Sequence, residues 1–423
     1  MNVLDIVAKK NNKEELSYEE IKYTVDNYIS GDINDEDMTL FLKAVKKNEM
    51  SFKEIYDLTN IMLNSGEILD LSNIDGTIVD KHSSGGVGDK TSLVVLPIVA
   101  SCNVKIAKMS GRSLGFTGGT IDKLESIPGF KTSINTDRFI KQVNDINIAL
   151  VSQSGNLVPA DKKIYALRDV TDTTDSISLI SSSIMSKKLA SGSNKIVLDV
   201  KVGNGAFIKD INRAKELTKI MVQIGNNYGK ETIGILTNMN YPLGYTIGNS
   251  LEVLEAIDVL DNKGESNFTK LCLALSSYMV SLGKNISIKE ALEEVETNFY
   301  NKNALNKFYE FIKAQDGDIN EIKICPNKIE IYSDREGYIN NIDALKLANL
   351  CNGLGAGRKN KDDTINHEVG IKLNKTINEY VKKDELLLTV YTLDNININD
   401  YLKAFEMTSN KLEDYKIIYE IIK

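Results

Sequence analysis

Around the stretch DKHSSGGVGDKTS, Asp80–Ser92, the chain changes from a helical pattern to short apolar runs. The thirteen residues of this stretch contain three glycines, three serines and one of the two histidines of the chain. Glycine lets backbone N–H groups approach a ligand closely, and serine hydroxyls donate hydrogen bonds. The stretch therefore predicts a loop that binds an anion, and phosphate is the first hypothesis.

Short apolar runs that end in glycine-rich turns begin at GTIVDKH and continue well beyond this loop. They alternate with helical stretches, which predicts an α/β fold with a large, mixed but mostly parallel sheet and helices on its faces. Open sheets of this kind bind ligands at the carboxyl ends of their strands, where these glycine-rich turns fall. The runs are SLVVLPIVA, VKIAKMSGRS, INIALVSQSG, KIVLDVKVGNGAF and IGILTNMN.

Two segments have a helical pattern instead. Residues 1–65 contain two capping boxes, SYEE at Ser17–Glu20 and SFKE at Ser51–Glu54, and residues 160–190 read as helical again. We therefore predict one helical domain from both segments and an α/β phosphate-binding domain from residues 66–159 and 191–325. Residues 326–423 alternate at strand period and predict a β-rich α+β subdomain. Two linkers then cross between the first two domains, which favours a cleft that closes.

Composition excludes several classes of function. The 423 residues include 51 basic and 59 acidic side chains, and this net charge of −8 disfavours a nucleic-acid or anionic-membrane partner. The four cysteines form no CxxC pair, so neither a zinc site nor a disulfide framework is indicated. The longest apolar run is far shorter than the roughly 20 residues that span a bilayer. We expect a cytoplasmic protein.

The loop does not match the nucleotide-binding motifs. In the P-loop pattern G-x-x-x-x-G-K-[ST], Ser84 and Asp89 stand where both glycines must be, and GLGAGR has the wrong spacing for a dinucleotide fold. A loop for inorganic phosphate fits better, with charge from Lys81, a hydroxyl from Ser83 and N–H groups from Gly85 and Gly86 before a helix. An ordinary glycine-rich turn with a solvated lysine explains the loop alone equally well.

Two further stretches extend the candidate site. KMSGRSLGFTGGTIDKLESIPGF adds Lys108, Ser110 and Thr120 after the next apolar run. In YALRDVT and SIMSKK, Tyr165 and Arg168 are spaced i, i+3, and Ser183 and Lys187 are spaced i, i+4, so each pair shares a helix face. Taken singly, these two basic residues also fit solvated surface charges.

Together these stretches resemble the thymidine phosphorylase and pyrimidine-nucleoside phosphorylase family. The motifs that carry the resemblance are KHSSGGVGD, SGRSLGFTGGTIDKLE, YALRDVT, SIMSKKLA and DVKVGNGAF. The resemblance implies reversible phosphorolysis, in which thymidine, uridine or deoxyuridine reacts with inorganic phosphate to give a free base and an α-pentose 1-phosphate. It also implies a homodimer formed through the helical domain and no organic cofactor.

The resemblance also implies a set of site residues. The family residues that contact the pyrimidine base correspond to His82, Arg168, Ser183 and Lys187, with Tyr165 and Asp161 in or near the site, and those that make an apolar sandwich around its ring correspond to Leu114, Ile180 and Phe207. The phosphate residues correspond to Lys81, Ser83, Ser92, Ser110 and Thr120, with Lys108 as a neighbouring charge. His82, with an ordinary pKa of about 6.5, is expected to donate a proton or hydrogen bond to the base.

Some family members bind potassium, and the matching positions are Gly88, Leu243, Thr246 and Glu255. Lys90 stands where certain relatives have a threonine ligand, and an ammonium cannot ligate a cation. The hypothesis is that potassium dependence is weakened, either because Lys90 points away or because its charge replaces the ion.

Two rival functions remain at this point. An anthranilate-type phosphoribosyltransferase also grips phosphate with glycine-rich loops, but it needs paired acidic residues for magnesium-bound pyrophosphate, which the sequence does not place near the site. The second rival is a catalytically silent binding protein that keeps the fold.

Overall fold

The computed structural model describes residues 1–112, 115, 118–153, 156–358 and 363–423. The helices in these ranges are α1 Val3–Asn11, α2 Tyr18–Ser30, α3 Asp35–Asn48, α4 Phe52–Leu63, α5 Thr91–Ser101, α6 Thr120–Glu125, α7 Thr136–Ile146, α8 Pro159–Val170, α9 Ile177–Ala190, α10 Ile211–Asn227, α11 Asn249–Leu260, α12 Ser266–Lys284, α13 Ile288–Tyr300, α14 Asn303–Ala314, α15 Ala344–Gly353 and α16 Ile398–Leu402. The strands are β1 Val79–Ser83, β2 Ile106–Ser110, β3 Ile148–Ser152, β4 Lys195–Val202, β5 Glu231–Asn238, β6 Thr246–Ile247, β7 Lys328–Tyr332, β8 Gly337–Ile342, β9 Gly370–Leu373, β10 Tyr380–Val381, β11 Leu386–Tyr391, β12 Phe405–Thr408 and β13 Ile418–Ile422.

The central sheet is mostly parallel. Strands β1, β4 and β5 pair in parallel, β13 pairs antiparallel with β5, and β2 and β3 form a second parallel pair. A parallel bridge between Ile78 and Lys105 joins these two groups at the edge of β1. The carboxyl ends of β1 and β2 therefore point the same way and bring their two polar loops together. The predicted fold class is confirmed.

One apolar run that was read as a strand is a helix. The residues of SLVVLPIVA lie in α5, whose positions from Thr91 to Ala100 are all buried. A helix that is buried on every side has no polar face, so its sequence cannot be told from a buried strand by periodicity. Its position directly after the glycine-rich loop places a helix N-terminus at the predicted anion site.

The helical layer joins residues that are distant in sequence. Both predicted capping boxes are present, at the starts of α2 and α4. Helices α8 and α9 return to this layer, where the Glu49 carboxylate accepts hydrogen bonds from the Ser176 hydroxyl at 2.8 Å and the Ser178 amide at 3.0 Å. The Ser178 hydroxyl in turn accepts from the Met50 amide at 2.8 Å. These contacts fix α9 across the ends of α3 and α4.

The C-terminal region is β-rich, with antiparallel sheets ordered β6-β9-β11-β7 and β10-β8-β12. Two strand pairings cross the predicted boundary at residue 326. Strand β6, assigned to the α/β domain, pairs with β9, and β13, assigned to the C-terminal subdomain, completes the central sheet beside β5. Both pairings give an edge strand a partner that is distant in sequence. Short-range sequence patterns do not predict such pairings. None of the described helices is by itself long and apolar enough to cross a membrane; α12 and α13 qualify only as a pair bent by 118°.

Candidate active site

The residues predicted to hold phosphate begin at the end of β1. The ammonium of Lys81 is fully buried, lies 3.1 Å from Asp199 Oδ2 and donates to the hydroxyl of Thr91. The hydroxyl of Ser83 donates to Asp89, whose other carboxylate oxygen accepts from the Thr91 amide at 3.2 Å. Lys81 and Ser83 thus reach the same Thr91–Asp89 pair, as side chains two apart on a strand do.

A buried lysine joins this loop to the second polar loop. Lys123 Nζ on α6 lies 3.0 Å from Glu252 Oε2 and donates to the backbone carbonyls of Asp89 at 2.9 Å and Gly118 at 3.2 Å. Thr120, the first residue of α6, is therefore held beside the phosphate loop, and Ser92 lies buried in the first turn of α5. Lys123 was not predicted as a site residue, and its place within the GGTIDKLE motif is the signal that points to it.

Lys108 is predicted to place a charge near phosphate, but in the structure its side chain contacts Asp80 and the Lys81 backbone. Its ammonium lies 3.2 Å from Asp80 Oδ1 and donates to the Lys81 carbonyl, while Lys188 approaches the other Asp80 oxygen at 2.6 Å. Burial lowers the pKa of Lys108 to about 8, and the two ammonium groups outweigh burial and lower the pKa of Asp80 to about 2. Two ammonium groups share one carboxylate, which leaves a single positive charge behind the phosphate loop. Ser110, at the end of the same strand as Lys108, is half-buried.

The base-side residues lie together on α8 and α9. Lys187 Nζ is 2.7 Å from Asp161 Oδ2 and 3.0 Å from Ser183 Oγ. The ring of Tyr165 lies beside both basic groups, with its centroid 5.7 Å from Lys187 Nζ and 5.5 Å from Arg168 Cζ. The predicted i, i+3 and i, i+4 pairs thus meet in one cluster, where a pyrimidine can contact two cations and a hydroxyl.

Arg168 is buried rather than solvated, with 2% of its surface exposed. Its Nε, Nη1 and Nη2 atoms donate to the carbonyls of Thr173, Leu179 and Thr174 at 3.2, 3.2 and 3.1 Å. A guanidinium has five N–H donors, so two stay available for a ligand. Arg168 both fixes the turn between α8 and α9 and presents charge beside Tyr165.

His82 lies near charged groups from two parts of the candidate site. Desolvation lowers its pKa well below the ordinary value of 6.5, and the ammonium groups of Lys188, Lys108 and Lys187 lower it further, against the opposite effect of Asp80. Lys187 belongs to the cluster on α8 and α9, and Lys108 belongs to the ion pairs of Asp80, so His82 lies within electrostatic reach of both groups. The lowered pKa favours the neutral imidazole at pH 7, which has an N–H that can donate a hydrogen bond but no imidazolium proton.

The predicted apolar sandwich is only partly described. Ile180 is half-buried on α9, and Phe207 follows β4 with 47% of its surface exposed. Leu114 lies outside the described residues. The four positions predicted for potassium do meet, and the Lys90 ammonium lies among them; its contacts are described below.

We expect His82 to stay neutral through the physiological pH range. Only two histidines are present, so two imidazole signals are expected in an NMR titration, and His367→Gln assigns them. The His82 signal should show no protonation between pH 8 and about 6, because its folded pKa is depressed. As pH falls below the unfolded value of about 6.5, only unfolded His82 gains a proton, so its contribution lowers the free energy of unfolding there. A midpoint near 6.5 in the folded protein contradicts this assignment.

Comparison with known proteins gives three family matches along the chain. Residues 4–66 match the model described as "Glycosyl transferase family, helical bundle domain", residues 75–305 match "Glycosyl transferase family, a/b domain", and residues 338–410 match "Pyrimidine nucleoside phosphorylase C-terminal domain". The first two separate the N-terminal helices from the sheet, and the third covers most of the β-rich region.

Similar proteins agree with these matches. The pyrimidine-nucleoside phosphorylase of Geobacillus stearothermophilus is 49% identical over 400 residues, which cover 93% of this chain and 92% of that protein. That of Bacillus subtilis is 49% identical over 399 residues, covering 92% of each. The structure of anthranilate phosphoribosyltransferase from Thermus thermophilus shares the fold, with a TM-score of 0.57 at 13% identity over 74% of this chain and 99% of that one. The resemblance seen in the motifs is thereby confirmed, and the chain belongs to the pyrimidine-nucleoside phosphorylase family.

Proposed function

We propose that this chain catalyses the reversible phosphorolysis of pyrimidine nucleosides to free base and α-D-(deoxy)ribose 1-phosphate. The observation that carries the proposal is the Lys187–Asp161–Ser183 cluster of α8 and α9, whose Lys187 acts on the pKa of His82, the residue between Lys81 and Ser83 on β1. One side offers cations and hydroxyls to a base, and the other offers hydroxyls and positive charge to an anion. The names of the relatives support the same reaction.

The chemistry follows from where charge moves. As the bond between C1′ and N1 stretches, the sugar becomes oxocarbenium-like and the pyrimidine gains negative charge. Arg168 and Lys187 then stabilise the leaving base, and the neutral His82 donates a hydrogen bond to its O2. Phosphate attacks C1′, so the enzyme supplies no nucleophile, and holding both substrates in place lowers the barrier by several kcal/mol or more.

Closure of the helical domain on the sheet domain completes this proposal, because it brings base and phosphate together and excludes water. We expect thymidine, uridine and deoxyuridine as substrates, no organic cofactor, no nucleic-acid or membrane partner and a cytoplasmic location. We also expect a homodimer through the helical domain, whose helices α1–α3 expose Leu4, Ile29 and Leu40.

The decisive assay offers each of the three nucleosides to the purified protein, with and without inorganic phosphate, and follows base and sugar 1-phosphate by chromatography. We expect base release only with phosphate and in equal amount to the sugar 1-phosphate. Release without phosphate indicates a hydrolase and contradicts the proposal. A parallel reaction with anthranilate and phosphoribosyl diphosphate tests the transferase rival, and no turnover in any reaction favours a silent relative.

A further inference from the structure

Lys90, the last residue before α5, buries its ammonium in a shell of oxygen atoms. Its Nζ donates to the Leu243 carbonyl at 2.6 Å, the Thr246 carbonyl at 3.2 Å and Glu255 Oε2 at 2.6 Å. The same atom lies 5.1 Å from the ring centroid of Phe268. Only 1% of the residue is exposed. Two carbonyls and a carboxylate are oxygen ligands that a metal cation takes, and here they surround an ammonium instead.

Other contacts make this shell rigid. Glu255 also accepts from the amides of Tyr245 at 2.6 Å and Thr246 at 2.8 Å. Gly88 has a φ of +69°, and a Cβ there would lie 2.8 Å from the Leu243 carbonyl oxygen, so the loop and the segment before β6 are in close contact. The Gly88 carbonyl accepts from the Lys90 amide at 2.9 Å rather than from its ammonium.

A potassium ion does not fit these residues. The ammonium already contacts Leu243, Thr246 and Glu255, three of the four positions expected for that ion, and it compensates the charge of the carboxylate. A second cation at the same place would meet a buried like charge at hydrogen-bond range, which is strongly unfavourable.

We propose that the Lys90 ammonium is a built-in replacement for a monovalent cation and makes the enzyme independent of potassium. Lys90 is a positioning residue, because it acts through its neighbours Thr91 and Ser92 in the first turn of α5, at the phosphate loop. It ties that turn to the segment between β5 and α11. The effect on catalysis rests on the proposed function, whereas the effect on cation binding does not.

The test compares the wild type with Lys90→Thr, which removes the ammonium and supplies a hydroxyl. Melting temperature and kcat/KM for phosphate are measured in potassium chloride and in sodium chloride at equal ionic strength. We expect the wild type to respond equally to both salts. Lys90→Thr should melt at least about 4 °C higher in potassium than in sodium. Its kcat/KM should rise at least about fivefold in potassium, mainly through KM.

Lys10→Thr is the matched control, because Lys10 is also buried, with 4% exposed, and among the described residues its ammonium donates only to the Glu54 carboxylate, at 2.8 and 2.9 Å. It should be destabilised alike in both salts. A wild type that potassium stabilises and activates as strongly as Lys90→Thr overturns the proposal, and so does a folded Lys90→Thr without a potassium response. If Lys90→Thr does not fold, the same two measurements on Lys90→Gln and on the wild type test the proposal. If no phosphorolysis occurs at all, the melting temperatures alone test the cation replacement.

Discussion

Arg168→Ala is expected to lower kcat/KM for phosphorolysis at least about a hundredfold, the loss typical when one donor that stabilises developing charge is removed. The buried guanidinium donates to two carbonyls of the turn between α8 and α9 and to the Leu179 carbonyl in α9, and these bonds leave two of its five N–H groups beside Tyr165. The substitution therefore removes the positive charge that stabilises the leaving base. It also removes the hydrogen bonds that hold the backbone beside the base pocket. Steady-state kinetics with uridine and phosphate measures the effect.

Two further variants separate the effect of the positive charge at residue 168 from the effect of its hydrogen bonds to the backbone. Arg168→Lys keeps a cation but loses the planar fork, and it should recover only part of the activity because a lysine cannot hold three carbonyls and a base together. Arg213→Ala is the control, since that exposed arginine donates to the Asp175 carbonyl in the same turn at 2.6 Å. We expect its kcat/KM to stay near the wild-type value. A near-normal Arg168→Ala enzyme excludes Arg168 from the site.

The sequence predicted the parts of the site that depend on local spacing. The i, i+4 spacing of Ser183 and Lys187 places both on one face of α9, and the structure adds the contact with Asp161 from α8. The two capping boxes followed from four-residue patterns in the same way. Local spacing does not identify α5 as a helix, because its run of apolar residues fits a strand and a helix equally well.

Local spacing in the sequence does not predict the buried ion pairs behind the phosphate loop. Asp80 is 28 residues before Lys108 and 108 before Lys188, and Lys90 is 165 before Glu255. Each of these charges alone resembles a solvated surface residue. Only the tertiary packing that places β2 and α9 beside β1, and α11 beside the start of α5, brings these opposite charges together. The lowered pKa of His82 has the same origin, because three of its causes are ammonium groups from other elements.

The second large effect is expected for Asp80→Ala. Asp80 is 1% exposed and is the carboxylate partner of both Lys108 and Lys188. Its removal leaves two buried ammonium groups without a counter-charge, and breaking a buried ion pair from one side costs about 3–5 kcal/mol of the free energy of unfolding. Urea unfolding at pH 7 measures this loss. Because Lys108 already has a pKa of about 8, it should then lose its proton more readily, so the variant should regain part of its stability at higher pH.

Asp26→Ala is the matched control for this stability loss. Asp26 forms an i, i+4 pair with Lys22 in which about half of each side chain is exposed (49% and 51%), and such pairs contribute about 0.5 kcal/mol or less. An Asp80→Ala variant no less stable than Asp26→Ala contradicts the role of the cluster. A large loss with regained stability above pH 8 instead identifies an internal carboxylate that keeps two positive charges in the fold.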